Sequence, residues 1–204
     1  YWTFFTPIFA FVLIPILEII LPIQNENLSN NESVAKNKSL FFDLLLYLNL
    51  PMVYGLLGWF LWSVPWANYS TAELTGLTLS VGVVLGSNGI NVAHELGHRQ
   101  TRWEKTLGKL LLLPALYMHF YIEHNFGHHQ KAATTEDPAS ARYNQTVYSF
   151  WVTSMVRQYV SAWNIQLELL KKENAPFFSF KNDMMCYLVL QMVYLLLVFL
   201  LFST

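Results

Sequence analysis

The segment Asn91–Gln100 reads NVAHELGHRQ, and its HELGH core sets His94 and His98 four residues apart with Glu95 between them. On a helix that spacing puts both imidazoles on one face. Two such imidazoles and an adjacent carboxylate are what an HExxH zinc peptidase uses, with the carboxylate as general base. All six histidines of the chain, however, fall between His94 and His129. His124 and His128 repeat the i, i+4 spacing, His129 adds an adjacent ring, and His119 precedes them. An isolated histidine is ordinarily an interfacial polar residue. Two spaced pairs and a doublet point instead to metal ligation, because imidazole suits Zn, Cu, Fe and Ni. His94, His98, His124, His128 and His129 exceed the three protein ligands of a catalytic zinc. The surplus fits two metal ions better, with further ligands from residues outside these 204.

These residues need elements to hold them. The chain has 204 residues, of which 54% are hydrophobic and 12% charged, against about 25% charged in ordinary soluble domains. With a mean hydropathy of +0.33, that deficit predicts a membrane protein. A net charge of −1 offers no basic footprint for nucleic acid. The lone Cys186 leaves no internal disulfide and no cysteine-based metal site. The expected fold is all-α, a polytopic transmembrane bundle with a cytoplasmic histidine-box region. Residues 1–204 read as a single membrane domain cut at both ends.

Apolar runs at 1–22, 40–62, 71–98 and 182–202 are each long enough to span. Pro7, Pro15 and Pro51 are expected to bend theirs. The polar linker 23–39 carries N-x-S matches at Asn27, Asn31 and Asn37, read as chance composition. The apolar stretch 107–118 covers only about 18 Å as helix, too short for a core of about 30 Å. It is expected to return to the side it left, so that the two histidine boxes meet. Residues 146–172 read as an amphipathic interfacial helix bearing Trp151, Met155, Tyr159 and Trp163. None of the twelve Lys and Arg residues lies between Leu40 and His98. The positive-inside rule then puts 23–39 and 99–181 in the cytoplasm.

The two boxes resemble those of the membrane-bound alkane 1-monooxygenases, within the fatty-acid-desaturase-like superfamily of membrane diiron enzymes. HELGHR at 94–99 is similar to that family's HELGHK. HFYIEHNFGHHQKAATTEDPASAR, from His119 to Arg142, is similar to its second box and the D-P-A stretch after it. The first box alone is weakly specific; the second with EDPASAR is strong, and it argues against a desaturase. The resemblance implies two non-haem Fe ions, with His94, His98, His124, His128 and His129 among their ligands. It implies supporting roles beside the ligands for His119, Glu95, Glu123 and Asp137. For Asp137 a turn-forming role before Pro138 stands equally. The family's third box and its NYxEHYG motif do not occur here. Five of nine expected histidines are present, so the isolated chain is expected to be inactive.

The resemblance also implies a reaction: hydroxylation of the terminal methyl of a medium- or long-chain alkane with O2. Electrons would come from rubredoxin and rubredoxin reductase, in a bacterial inner membrane with the active site towards the cytoplasm. Arg99, Arg102, Lys105 and Lys109 are candidates for docking an acidic partner, or else positive-inside anchors. Leu79, Val83, Val84, Ser87 and Asn91 are candidate liners of a substrate channel entered from the lipid; the ordinary alternative is helix packing. A xylene-type monooxygenase, a desaturase, a zinc intramembrane peptidase and a non-enzymatic metal-binding protein remain as alternatives. Iron against zinc content separates the diiron enzymes from the peptidase.

Overall fold

A computed structural model describes residues 2–22 and 39–202. The linker motifs at Asn27, Asn31 and Asn37, and the lysines at 36 and 38, lie outside the described residues. Among the described residues all regular structure is helical. We number the helices α1 (Trp2–Ile20), α2 (Leu40–Trp66), α3 (Thr71–Gly97), α4 (Arg102–Leu112), α6 (Val147–Lys172) and α7 (Asp183–Phe202). The helix α5, between α4 and α6, begins at Phe120–Glu123 and runs on through His124–His128 and His129–Lys131.

Helices α1, α2, α3 and α7 are long and apolar enough to cross a membrane. Their sides stay open to the surroundings: Phe11, Ile19, Leu40 and Leu201 are among many large apolar side chains left exposed. Apolar surface on this scale is matched by lipid rather than water, and the chain is a multi-pass membrane protein. The second span runs to Trp66, four residues beyond the expected 62, and includes Pro65. Proline in a last turn removes only one backbone bond, so the helix carries through it. Ser70 then opens α3 with a reciprocal cap: its hydroxyl accepts from the Glu73 N–H, while the Glu73 carboxylate accepts from the Ser70 N–H.

Buried packing concentrates at the histidine end, where Val53, Ala93, Leu96, Leu111, Leu112, Met118, Ile122, Ala162, Met184 and Tyr187 form one cluster. Helix α4, at 11 residues, is about 16 Å long and cannot cross. Thr101 caps it, its hydroxyl accepting from the Glu104 N–H, which starts the helix five residues before the apolar stretch begins. Its backbone lies against the end of α3: a Cβ placed on Gly108 would sit 2.9 Å from the Ala93 carbonyl oxygen. After α4 the chain reverses at Leu116, whose φ is 54°, and α5 runs back beside α3. Helix α6 covers α5 with an inward stripe of Ser154, Gln158, Ala162, Gln166 and Leu170. Trp151 and Met155 are left outward, and Tyr159 is half-exposed with its ring against His119.

Candidate metal centre

His94 lies on the last turn of α3 and His98 caps it. His124 opens a π-helical turn in α5, and His129 comes directly after that turn. His94, His98 and His124 bring one ring nitrogen each within 4.8 Å of one another, and His129 adjoins this group through His98 and His124. The Nε2 atom of His98 lies 3.2 Å from that of His94, 3.1 Å from that of His124 and 3.4 Å from that of His129. His124 and His129 are 3.0 Å apart at the same atoms. The meeting of residues 98 and 124 also shows that the segment between them returns to the end of the bundle it left.

The π-turn decides which pair of the second box meets. In a regular α-helix, residues five apart point about 140° away from each other. An i, i+5 turn draws them back towards one face. The i, i+4 reading predicts His124 and His128 as the pair, and their rings do stack at 5.4 Å. The ring nitrogens that meet, however, belong to His124 and His129. His128 instead points its Nδ1 at the Asp137 Oδ2 atom, 3.0 Å away. That bond leaves its Nε2 as the nitrogen free to ligate.

Asp137 is buried and doubly used. Oδ2 also accepts from the Ser140 hydroxyl at 2.6 Å, and Oδ1 accepts from the Ala139 N–H. Burial opposes its charged form, but those two donors and His128 outweigh it and hold the carboxyl below its ordinary range. Ser140 is absent from the residues that the sequence singles out; its position three residues after an aspartate in a D-P-A-S turn is the signal that could find it. Phe120 is absent too. Its ring stacks on His124 at 4.9 Å, and the i, i+4 spacing to a box histidine announces it.

The other acidic candidates sit differently. The Glu95 carboxylate meets Arg99 at 3.4 Å rather than a ring nitrogen. One residue on from His94 is about 100° around the helix, so Glu95 faces off the imidazole side. Glu123 is buried, with Oε1 lacking any hydrogen-bond partner; burial first, then the Asp137 charge, raises its pKa to about 6. His119 packs between the Tyr117 and Tyr159 rings, with a buried, unpartnered Nε2. Burial lowers its pKa to about 4. His124 is pushed down to about 3 by burial and by the neighbouring histidines, His94 first. Of the channel candidates, Leu79, Ser87 and Asn91 are exposed and Val84 packs against the core cluster. The Ser87 hydroxyl donates to the Val83 carbonyl. Another π-turn, Leu85–Gly89, includes Ser87 and separates Val84 from Asn91.

The donor set fits a metal ion. The His98 Nε2 touches three other ring nitrogens, and one nitrogen carries either one proton or one lone pair. These contacts cannot all be hydrogen bonds, and a cation among them resolves the facing lone pairs. Ligands about 2.0–2.1 Å from a common ion lie about 2.9–3.4 Å apart, from octahedral to tetrahedral arrangements, and the contacts of His98 with His94 and His124 fall in that range, as do those of His129 with His98 and His124.

Structure and site together define a polytopic, all-helical membrane protein that gathers imidazoles at one end of its bundle. Residues 70–204 match the fatty acid desaturase family, and the chain belongs to it. Within that family the chain is 31% identical to alkane 1-monooxygenase 2 of Pseudomonas aeruginosa, over 96% of this chain and 52% of that protein. It is 32% identical to the alkane 1-monooxygenase of Ectopseudomonas oleovorans, over 90% of this chain and 46% of that protein. To the xylene/toluene monooxygenase hydroxylase component of Pseudomonas putida it is 27% identical, over 89% of this chain and 48% of that protein. The chain thus spans about half the length of the curated relatives it matches. The similarity read from the histidine boxes extends along nearly all of these 204 residues.

Proposed function

We propose that the chain carries metal-binding residues of a non-haem diiron monooxygenase that hydroxylates the terminal methyl of medium- or long-chain alkanes. The observation that carries this reading is the convergence of His94, His98, His124 and His129 at one end of a membrane bundle whose relatives are alkane 1-monooxygenases. His128, oriented by Asp137, supplies a fifth nitrogen. Histidine-only ligation suits iron of intermediate softness. Bound here, two iron ions would supply the O2 activation that attack on an unactivated terminal C–H bond needs.

The chain's own residues set position and access. Phe120 covers one face of His124, and α6 shields α5 with its Gln158 stripe. An alkane dissolved in lipid reaches the exposed side of α3 by Leu79 and Val83, and its end passes Ser87 and Asn91 towards His94. Val84, packed against the core, is the weakest member of that set. The basic loop and helix after His98 lie in the cytoplasm of a bacterial inner membrane by the positive-inside rule, where rubredoxin, reduced by its reductase, would deliver electrons. Residues 1–204 belong to one membrane domain. By themselves they are expected to be inactive, because nine histidine ligands are implied and five are present.

The test is the full-length enzyme, purified in detergent, with metal analysis and a substrate panel. About two Fe per chain and 1-alkanol formed from n-alkanes with rubredoxin and its reductase are expected. One Zn with peptide hydrolysis overturns the reading. A preference for methylarenes over alkanes would move it to the xylene-type relative.

A further inference from the structure

Arg99 directly succeeds His98, and its surroundings come from three helices. Its Nη2 atom lies 3.0 Å from the Asp43 Oδ1 atom of α2 and 3.4 Å from the Glu95 Oε1 atom of α3. Its Nε is buried without a hydrogen-bond partner and faces the Glu104 carboxylate of α4 at 4.0 Å. Glu104 is itself buried. It accepts from the Tyr47 hydroxyl of α2 at 2.9 Å and from the hydroxyl of Thr101, the residue that caps α4. The Tyr47 ring packs on Trp103 with centroids 4.6 Å apart.

Three carboxylates gathered around one guanidinium repel each other without it, and a buried carboxylate needs compensation to remain charged. A planar guanidinium reaches several acceptors in fixed directions, which an ammonium cannot. We infer that Arg99 is a positioning residue: its contacts to Asp43, Glu95 and Glu104 tie α2, the end of α3 and the start of α4 together, and so aim His94 and His98 at His124 and His129. The inference rests on reading those histidines as metal ligands. It also removes Arg99 from the partner-docking set, since its charge is already engaged inside the chain.

Cobalt(II) titration of the full-length, metal-free protein in detergent, monitored by visible absorption, tests it alongside circular dichroism. Arg99→Gln is expected to raise the cobalt Kd about 10–100-fold, the range for losing support behind a metal ligand, with helix content unchanged. Arg99→Lys is expected to recover part of that loss. In the metal-free protein, the thermal destabilisation of Asp43→Asn combined with Arg99→Gln is expected to fall short of the sum of the two singles. An Arg99→Gln protein that keeps its helices and binds cobalt as the wild type does overturns the inference. Where Arg99→Gln does not fold, Asp43→Asn carries the titration; a smaller rise in Kd supports the inference and an unchanged Kd overturns it. A wild-type protein that binds no cobalt overturns the metal-site reading, whereas additive losses at Asp43 and Arg99 overturn the contact network alone.

Discussion

At the scale of single residues, second-box chemistry turns on which nitrogen each ring presents. Asp137 holds the His128 Nδ1 and leaves its Nε2 outward. Asp137→Asn keeps the shape but loses the charge that fixes this tautomer, and is expected to weaken metal binding about 10–100-fold. Isothermal titration with Co(II) measures it, and an unchanged affinity would reduce Asp137 to a turn former. His119 gives a pH signature instead. Its folded pKa of about 4 lies below its ordinary 6.5, so the unfolded chain binds more protons between those values. Stability is therefore complete above pH 6.5 and falls as pH drops towards 4, by at most about 3 kcal/mol. Glu123, raised to about 6, runs the opposite way and offsets part of this. His119→Phe is expected to flatten the acid-side loss of melting temperature in the metal-free protein between pH 7 and 4. A variant with the wild-type slope would remove His119 as its source.

At the scale of elements, two glycines mark where helices touch and predict different costs. A Cβ at Gly108 meets the Ala93 backbone oxygen at 2.9 Å, which cannot move without shifting α3. At Gly127 the new atom meets the ends of the Glu123 and Ile165 side chains, both at 2.8 Å, which can swing aside. Gly108→Ala is expected to cost about 1–3 kcal/mol and Gly127→Ala less than about 1 kcal/mol. Thermal unfolding in detergent compares them, and equal losses would contradict the rigid α3–α4 contact. The π-turns act at the same scale. Of the three π-turns among the described residues, one lies in α1, one precedes His94 and one contains His124 and His128; the latter two re-aim side chains that a straight α-helix would send elsewhere. Nothing in the i, i+4 spacing of the boxes announces them.

At the scale of the whole molecule, the charge asymmetry defines an exposed basic surface smaller than the sequence suggests. Arg99 is held by acids of its own chain, and Lys109 sits 3.6 Å from Asp183 and over the Tyr121 ring. Arg102 and Lys105 remain for an acidic partner. On the proposed function, charge reversal at both in the full-length enzyme is expected to reduce rubredoxin-supported turnover several-fold at low salt and to flatten its salt dependence. Turnover that stays salt-dependent as in the wild type would move the docking site elsewhere. Thiol labelling of single cysteines at Lys105 and at Tyr69, in the turn between α2 and α3, in inverted and right-side-out vesicles checks the orientation, with Lys105 expected on the cytoplasmic side and Tyr69 on the opposite one.

Much of this protein is legible in its sequence. Apolar run length and the scarcity of charge determine the spans, because a bilayer of set thickness demands about 20 apolar residues. The shortness of the stretch after His98 determines that the two boxes share an end. Histidine spacing and the EDPASAR stretch identify the candidate ligands and the family. The tertiary structure alone decided the partners within that set: His124 meets His129, His128 takes Asp137, and Glu95 leaves the imidazole side for Arg99. The reason is that periodicity reports direction around an ideal helix. It cannot report a local π-turn, a backbone contact such as Gly108 on Ala93, or charges such as Asp43 and Glu104 brought in from other helices to settle where a side chain rests.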